Sequence, residues 1–173
     1  MSHPKLIVMS GLPGSGKSTI AEGVASKLGL PLFSVDPIES AIVESGVEKS
    51  FETGLAAYLV AKVLAAEQIK LGSSVIIDVV NAEEEGKNVW RDLAKECEVE
   101  LLIIECSLSD AVIHQKRIES RVRNLHGISE VSWEKVEARR EKYTEWKEPT
   151  LELDSLNPVD SNLQKAIQYI QSK

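Results

Sequence analysis

The sequence predicts a doubly wound parallel α/β sandwich, and three observations carry that prediction. Short, continuously apolar runs recur along the chain. Each is followed by a stretch with helical periodicity. A run apolar at every position implies burial on both faces, as in a parallel sheet covered by helices. At 173 residues the chain suits one domain, spanning 1–173.

Leu6-Ile7-Val8-Met9 reads as the first strand, and Ile20, Val24 and Leu28 then place an apolar face on a helix that Gly29 can cap. Pro31 to Val35 is the second strand. Leu55, Leu59 and Val63 predict the core-facing stripe of a long helix ending near Gly72. Ser74 to Ile77 is the third strand. Val89, Leu93 and Cys97 mark the next helix, whose start carries Glu83, Glu84 and Glu85, where negative charge suits the positive helix end. Leu101 to Ile104 is the fourth strand. A long polar helical stretch is expected from about Asp110 to Trp146, with a break at Gly127 and with Trp133, Val136, Arg140 and Tyr143 on one packing face. Leu151 to Leu153 is a short fifth strand. Leu163, Ala166, Ile167 and Ile170 give a final helix, with Ser161 and Gln164 as its capping box.

Ligands in such sheets bind beyond the carboxyl ends of the strands. The chemistry-bearing residues stand there. Gly11-Leu12-Pro13-Gly14-Ser15-Gly16-Lys17-Ser18 matches G-x-x-x-x-G-K-[ST] in full, between a strand and a helix. Gly11, Gly14 and Gly16 permit backbone angles that turn successive amides inward as an anion nest. The helix starting near Lys17 points its positive end at the same place. Lys17 can bridge the outer phosphates of a nucleoside triphosphate, and the Ser18 hydroxyl can bind Mg2+.

Asp36 follows the second strand and Asp78 the third. Asp78, ending a fully apolar run, is the expected magnesium ligand. Asp36 is expected to orient or deprotonate an acceptor hydroxyl. Lys116, Arg117, Arg121 and Arg123 form a basic island in an otherwise acidic chain, opposed by Glu119. Placed four apart on a helix, Arg117 and Arg121 would share a face and converge on phosphate.

Bulk properties narrow the partners. A formal charge of −7 gives no global field for gathering nucleic acid. No apolar run reaches the roughly 20 residues of a membrane span. The segment from Met1 to Lys5 and the short apolar run after it do not make a signal peptide. Cys97 and Cys106, each in an apolar stretch, read as small buried side chains of a chain at home in the cytoplasm. His3, His114 and His126 lack zinc-ligand spacing.

On these residues the chain resembles the small P-loop kinases related to polynucleotide kinase, gluconate kinase, chloramphenicol phosphotransferase and the zeta-type toxins. The carriers are Gly11 to Thr19, Asp36, the Val75-Ile76-Ile77-Asp78 strand end, Arg91, and Arg117 with Arg121. The resemblance implies a five-stranded parallel sheet in the order 2-3-1-4-5 and a lid around residues 117–133 that closes over ATP. It also implies a loop at Ser155-Leu156-Asn157-Pro158 near the adenine. Relatives often carry arginine three residues after the acceptor aspartate. Here Glu39 stands there, which disfavours an anionic acceptor. The function expected is phosphoryl transfer from ATP with Mg2+ to a small-molecule hydroxyl. The alternatives are a nucleotide-gated switch with a protein partner and a polynucleotide end kinase. The chain has no clear guanine-reading Asn-Lys-x-Asp motif, and its acidity disfavours a polynucleotide.

Overall fold

The computed structural model describes residues 3–173; Met1 and Ser2, the start of the N-terminal stretch, lie outside the described residues. Five strands, β1 (Lys5–Ser10), β2 (Leu32–Ser34), β3 (Val75–Asp78), β4 (Glu100–Ser107) and β5 (Thr150–Asp154), alternate with helices. The helices are α1 (Lys17–Leu28), α2 (Val35–Glu44), α3 (Phe51–Lys70), α4 (Glu84–Glu96), α5 (Ala111–Ser120), α6 (Trp133–Glu141) and α7 (Val159–Gln171). The strands form one sheet in the order β2-β3-β1-β4-β5, and every pairing is parallel. This is the expected order.

Strand side chains alternate between two cores. Leu6 and Val8 join Val75, Ile77 and Ile103 with α3 and α4 on one face. Ile7 and Met9 join Ile76, Leu102 and Ile104 with α1 and α7 on the other. Gly29 caps α1 in the left-handed region, its N–H donating to Ala25 O.

Three expectations are corrected. On α3 the residues packed on the sheet are Ala57, Ala61, Ala65 and Ile69, whereas Leu55, Leu59 and Val63 lie on the exposed side. Alanines at four-residue spacing let the helix axis sit close to the sheet, where larger side chains would not fit. The stretch from Asp110 to Trp146 breaks earlier than the expected Gly127. The helix α5 stops at Ser120, because Arg121 adopts extended backbone angles, φ −73° and ψ 132°. Residues 121–132 run without helix until Ser132 caps α6. Arg117 and Arg121 therefore share no helical face. Finally, α7 begins at Val159 with Pro158 at its N-cap, so Ser161 and Gln164 lie inside the helix instead of capping it.

Among the described residues no helix is long and apolar enough to cross a membrane.

Candidate active site

The phosphate loop runs from the end of β1 into α1. Gly11 sits at φ 142°, and a side chain there would collide with Cys106 O on β4, so only glycine lets the loop leave the sheet at this point. Gly14, at φ 80°, is packed by Ile118 and His114 of α5, which close over the space a Cβ would need. The helix starts at Gly16 with no capping side chain, leaving its first amides available to an anion. Ser15 Oγ is buried with no hydrogen-bond partner. A buried hydroxyl and uncapped amides in one turn suit a polyphosphate.

Lys17 is 5% exposed, and its Nζ lies 3.6 Å from Asp78 Oδ1. Asp78 ends β3 beside Ser34, whose Oγ donates to Asp78 Oδ2 at 3.3 Å. Asp78 Oδ1 is buried and accepts no hydrogen bond. A carboxylate oxygen with no hydrogen bond, ion-paired to the loop lysine and sharing a cavity with Ser18, is what a magnesium shell would use, directly or through water. The residues present fit that ion.

Two cavities open here. The first, about 410 Å3, is lined by Gly14, Ser15, Gly16, Lys17, Ser18 and Thr19, then by Arg117 and Arg121, and by Ser155, Asn157 and Asn162 beyond β5. The second, about 240 Å3, is lined by Lys17, Ser18, Glu22, Ser34, Asp36, Asp78, Arg121, Arg123 and Leu125. Lys17, Ser18 and Arg121 belong to both. Gly11 and Pro13 line neither and instead shape the loop.

The arginines divide by position. Arg117 donates to Ser155 Oγ at 2.9 Å and Ser155 O at 3.2 Å, which fixes it over the β5–α7 turn. The guanidinium of Arg121, past the helix end, lines both cavities, and among the described residues it makes no hydrogen bond or ion pair. Burial, then repulsion from Arg123, pulls its pKa below the ordinary guanidinium value. Arg123 Nη1 donates to Asp36 Oδ2 at 2.5 Å, and its Nε donates to Glu130 Oε2 at 3.2 Å. Asp36 lies in the first turn of α2 and not in a loop. Arg91, one carrier of the resemblance, lines neither cavity: Glu148 and Glu84 hold it on α4.

Sequence reading missed two residues. Asn162 lines the first cavity, donates Nδ2 to Asp154 O at 2.8 Å and keeps a buried Oδ1 without a partner. Its only sequence signal is a polar residue in the first turn of an amphipathic helix. His114 is buried beneath the phosphate loop, with Nε2 2.7 Å from Pro13 O. Cys106 also lines the first cavity, and burial pushes its thiol up to about 12, so it is inert there.

A profile described as an AAA domain, AAA_33, matches residues 6–146. The chain belongs to the AAA_33 family. This family member is 26% identical over 138 residues to a bifunctional polynucleotide phosphatase/kinase of Schizosaccharomyces pombe, covering 79% of this chain and 30% of that protein. It is 27% identical over 141 residues to an uncharacterized protein of Mycobacterium tuberculosis, covering 74% of this chain and 28% of that one. The chain thus spans less than a third of the curated relatives it matches.

Among solved structures, it superposes on a presumed kinase of Chloroflexus aurantiacus with a TM-score of 0.79 at 21% identity, covering 97% of this chain and 99% of the other. A gluconokinase of Sinorhizobium meliloti gives 0.70 at 15%, with coverage of 98% and 93%. An APS kinase of Mycobacterium tuberculosis in complex with AMPPNP and APS gives 0.67 at 17%, covering 99% of each chain. The AAA_33 chain has the fold of the P-loop kinases.

Proposed function

We propose that this AAA_33 protein is an ATP- and Mg2+-dependent kinase that phosphorylates a hydroxyl of a small molecule. The observation that carries the reading is the shared wall. A nucleotide-sized cavity and a smaller acid-bearing cavity meet at Lys17, Ser18 and Arg121. A phosphoryl group transferred between two ligands must cross such a wall, whereas a hydrolytic switch needs no second cavity. The gluconokinase and APS kinase of like fold, and the kinase named among the curated relatives, favour the same class.

The roles follow from position. The loop amides and Lys17 bind the β- and γ-phosphates. Ser18 and Asp78 would hold magnesium, which supplies charge neutralisation on the transferred group. Arg121 stabilises the negative charge that develops on that group. Arg117 and Asn157 hold the nucleoside end. Asp36 orients the acceptor hydroxyl and takes its proton, the step for which a carboxylate in the acceptor cavity is suited.

The acceptor cavity balances its charges. Lys17 faces Asp78, and Arg123 is engaged by both Asp36 and Glu130. Glu22 adds a further acid, whereas Glu39 lines neither cavity and accepts from Thr53 Oγ1 at 3.0 Å. With its second arginine neutralised, the cavity suits an uncharged polyol better than an anion.

The test is ATP consumption with Mg2+ over nucleosides, sugars, sugar acids, aminoglycosides, chloramphenicol-like compounds and 5′-hydroxyl oligonucleotides. Stimulation by one small-molecule class, lost in Lys17→Ala and Asp36→Asn, is the expected result. Stimulation by the oligonucleotide alone would move the acceptor to nucleic acid. A flat panel over tight ATP binding would overturn the kinase reading in favour of a switch.

A further inference from the structure

His114 was left unexplained by the sequence pattern, and its surroundings are specific. It is 1% exposed, on α5, wedged between the phosphate loop and α6. Its two ring nitrogens meet partners of opposite kind. Pro13 O, 2.7 Å from Nε2, is a carbonyl and can only accept. Arg140 Nη2, 3.0 Å from Nδ1, is a guanidinium nitrogen and can only donate. The imidazole must therefore be neutral with its proton on Nε2. Trp133 meets the ring edge-on, with centroids 5.3 Å apart at 74°, and Arg140 also lies over Trp133. Both residues come from α6, immediately after the segment that borders the acceptor cavity.

The same stretch braces the loop at a second point. Tyr143 OH and Ser10 Oγ are 2.9 Å apart, and Ser10 is the residue before Gly11. Thr144 N donates to Ala82 O at 3.0 Å, tying this stretch to the segment between β3 and α4.

We infer that His114 is a positioning residue for nucleotide binding: its Nε2–H fixes the Pro13 carbonyl, and with it the phosphate nest, while Arg140 and Trp133 hold the ring in that tautomer from α6. The loop peptide is thereby set before ligand arrives, which lowers the ordering cost of binding. The charged groups around the ring are Arg140 and Glu137 of α6 and Arg117 of its own helix; the loop presents only the Pro13 carbonyl. Burial, with the neighbouring arginines, disfavours the imidazolium. Protonation places an N–H at Nδ1 against the Arg140 guanidinium and breaks that side of the clamp.

The inference rests on the nucleotide-binding half of the proposed function, so the test uses affinity alone: calorimetric titration with Mg·AMPPNP at several pH values, with melting curves recorded alongside. His114→Gln keeps a donor and an acceptor but does not titrate. His114→Leu keeps bulk and removes both. Arg140→Gln removes the guanidinium from Nδ1. We expect His114→Leu to weaken binding about tenfold, the worth of one well-placed hydrogen bond, and Arg140→Gln to weaken it less. His114→Gln is expected to bind like the wild type at neutral pH. Below the ordinary histidine value the wild type loses affinity more steeply than His114→Gln. Wild-type affinity in folded His114→Leu would overturn the inference, as would equal acid dependence in the wild type and His114→Gln. A wild type that binds no AMPPNP at any pH would sink the nucleotide reading as well.

Discussion

Arg123, from the segment between α5 and α6, places its Nη1 2.5 Å from Asp36 Oδ2 in the first turn of α2. The carboxylate expected to meet the acceptor, still partly exposed, is thus oriented by a guanidinium. Ser40 Oγ donates to His126 O at 3.0 Å and fastens the same segment to α2. Arg123 lines only the smaller cavity, the one proposed to take the acceptor. Arg123→Ala is therefore expected to raise KM for the acceptor and leave KM for ATP unchanged, while Asp36→Asn lowers kcat by about a hundredfold or more, as loss of a general base does. Steady-state kinetics with each substrate varied in turn separates the two. Equal effects of Arg123→Ala on both KM values would refute the assignment.

Arg117 and Arg121 stand in different surroundings. Arg117 is bound to Ser155 at the nucleotide end, and Arg121 stands unpaired on the wall shared by the cavities. A guanidinium that meets charge only as the phosphoryl group moves contributes to kcat. Arg121→Ala is expected to lower kcat about a thousandfold, the low end for a catalytic arginine, with modest change in either KM. Arg117→Ala is expected to raise KM for ATP with kcat nearly intact. Single-turnover and steady-state rates of the two variants check this.

Asp78 Oδ1 is buried, accepts no hydrogen bond and lies 3.6 Å from Lys17 Nζ. Asp78→Asn keeps the shape and the acceptor for Ser34 but removes the charge. We expect activity to fall at least about a hundredfold, with partial recovery as Mg2+ is raised, because the lost ligand acts through the ion. A magnesium titration of turnover reads this directly. An unchanged magnesium dependence would assign Asp78 to holding Lys17 instead.

How much of this was legible depends on the distance over which each signal acts. The strands and the phosphate loop were readable, because uninterrupted apolar runs and G-x-x-x-x-G-K-[ST] are local patterns with a physical cause; the strand order came only from the resemblance to the small P-loop kinases. The facing of α3 was misread. Periodicity finds the stripe at Leu55, Leu59 and Val63, but the closeness of helix to sheet selects Ala57, Ala61 and Ala65, and that spacing is a property of the assembled layers. The break at Ser120 carries no proline or glycine; Gly127, the nearest signal, lies seven residues on. The pairs Asp36–Arg123 and Pro13–His114 join residues 87 and 101 positions apart, so no local pattern could announce them.

The pairing of Arg91 with Glu148 predicts the behaviour in acid. Arg91 donates Nε to Glu148 Oε1 at 2.5 Å and Nη2 to Oε2 at 3.0 Å, a two-point contact that ties α4 to the segment leading into β5. Hydrogen bonding from Arg91 lowers the Glu148 pKa below its ordinary value. A carboxylate with a depressed folded-state pKa adds stability above its unfolded value, and that stability is lost as pH falls through the folded one. Both side chains keep some contact with water, so the pair is screened in part. Glu148→Gln is expected to lower Tm at neutral pH by about 2–4 °C, the shift that about 1 kcal/mol gives a domain of this size. The wild type should lose that margin on acidification and converge on the variant below the folded-state pKa of Glu148. Melting temperatures of both proteins from neutral pH down into the carboxylate range decide it; coincident curves would mean that the pair contributes nothing measurable, and a constant offset that its contribution is not lost on protonating Glu148.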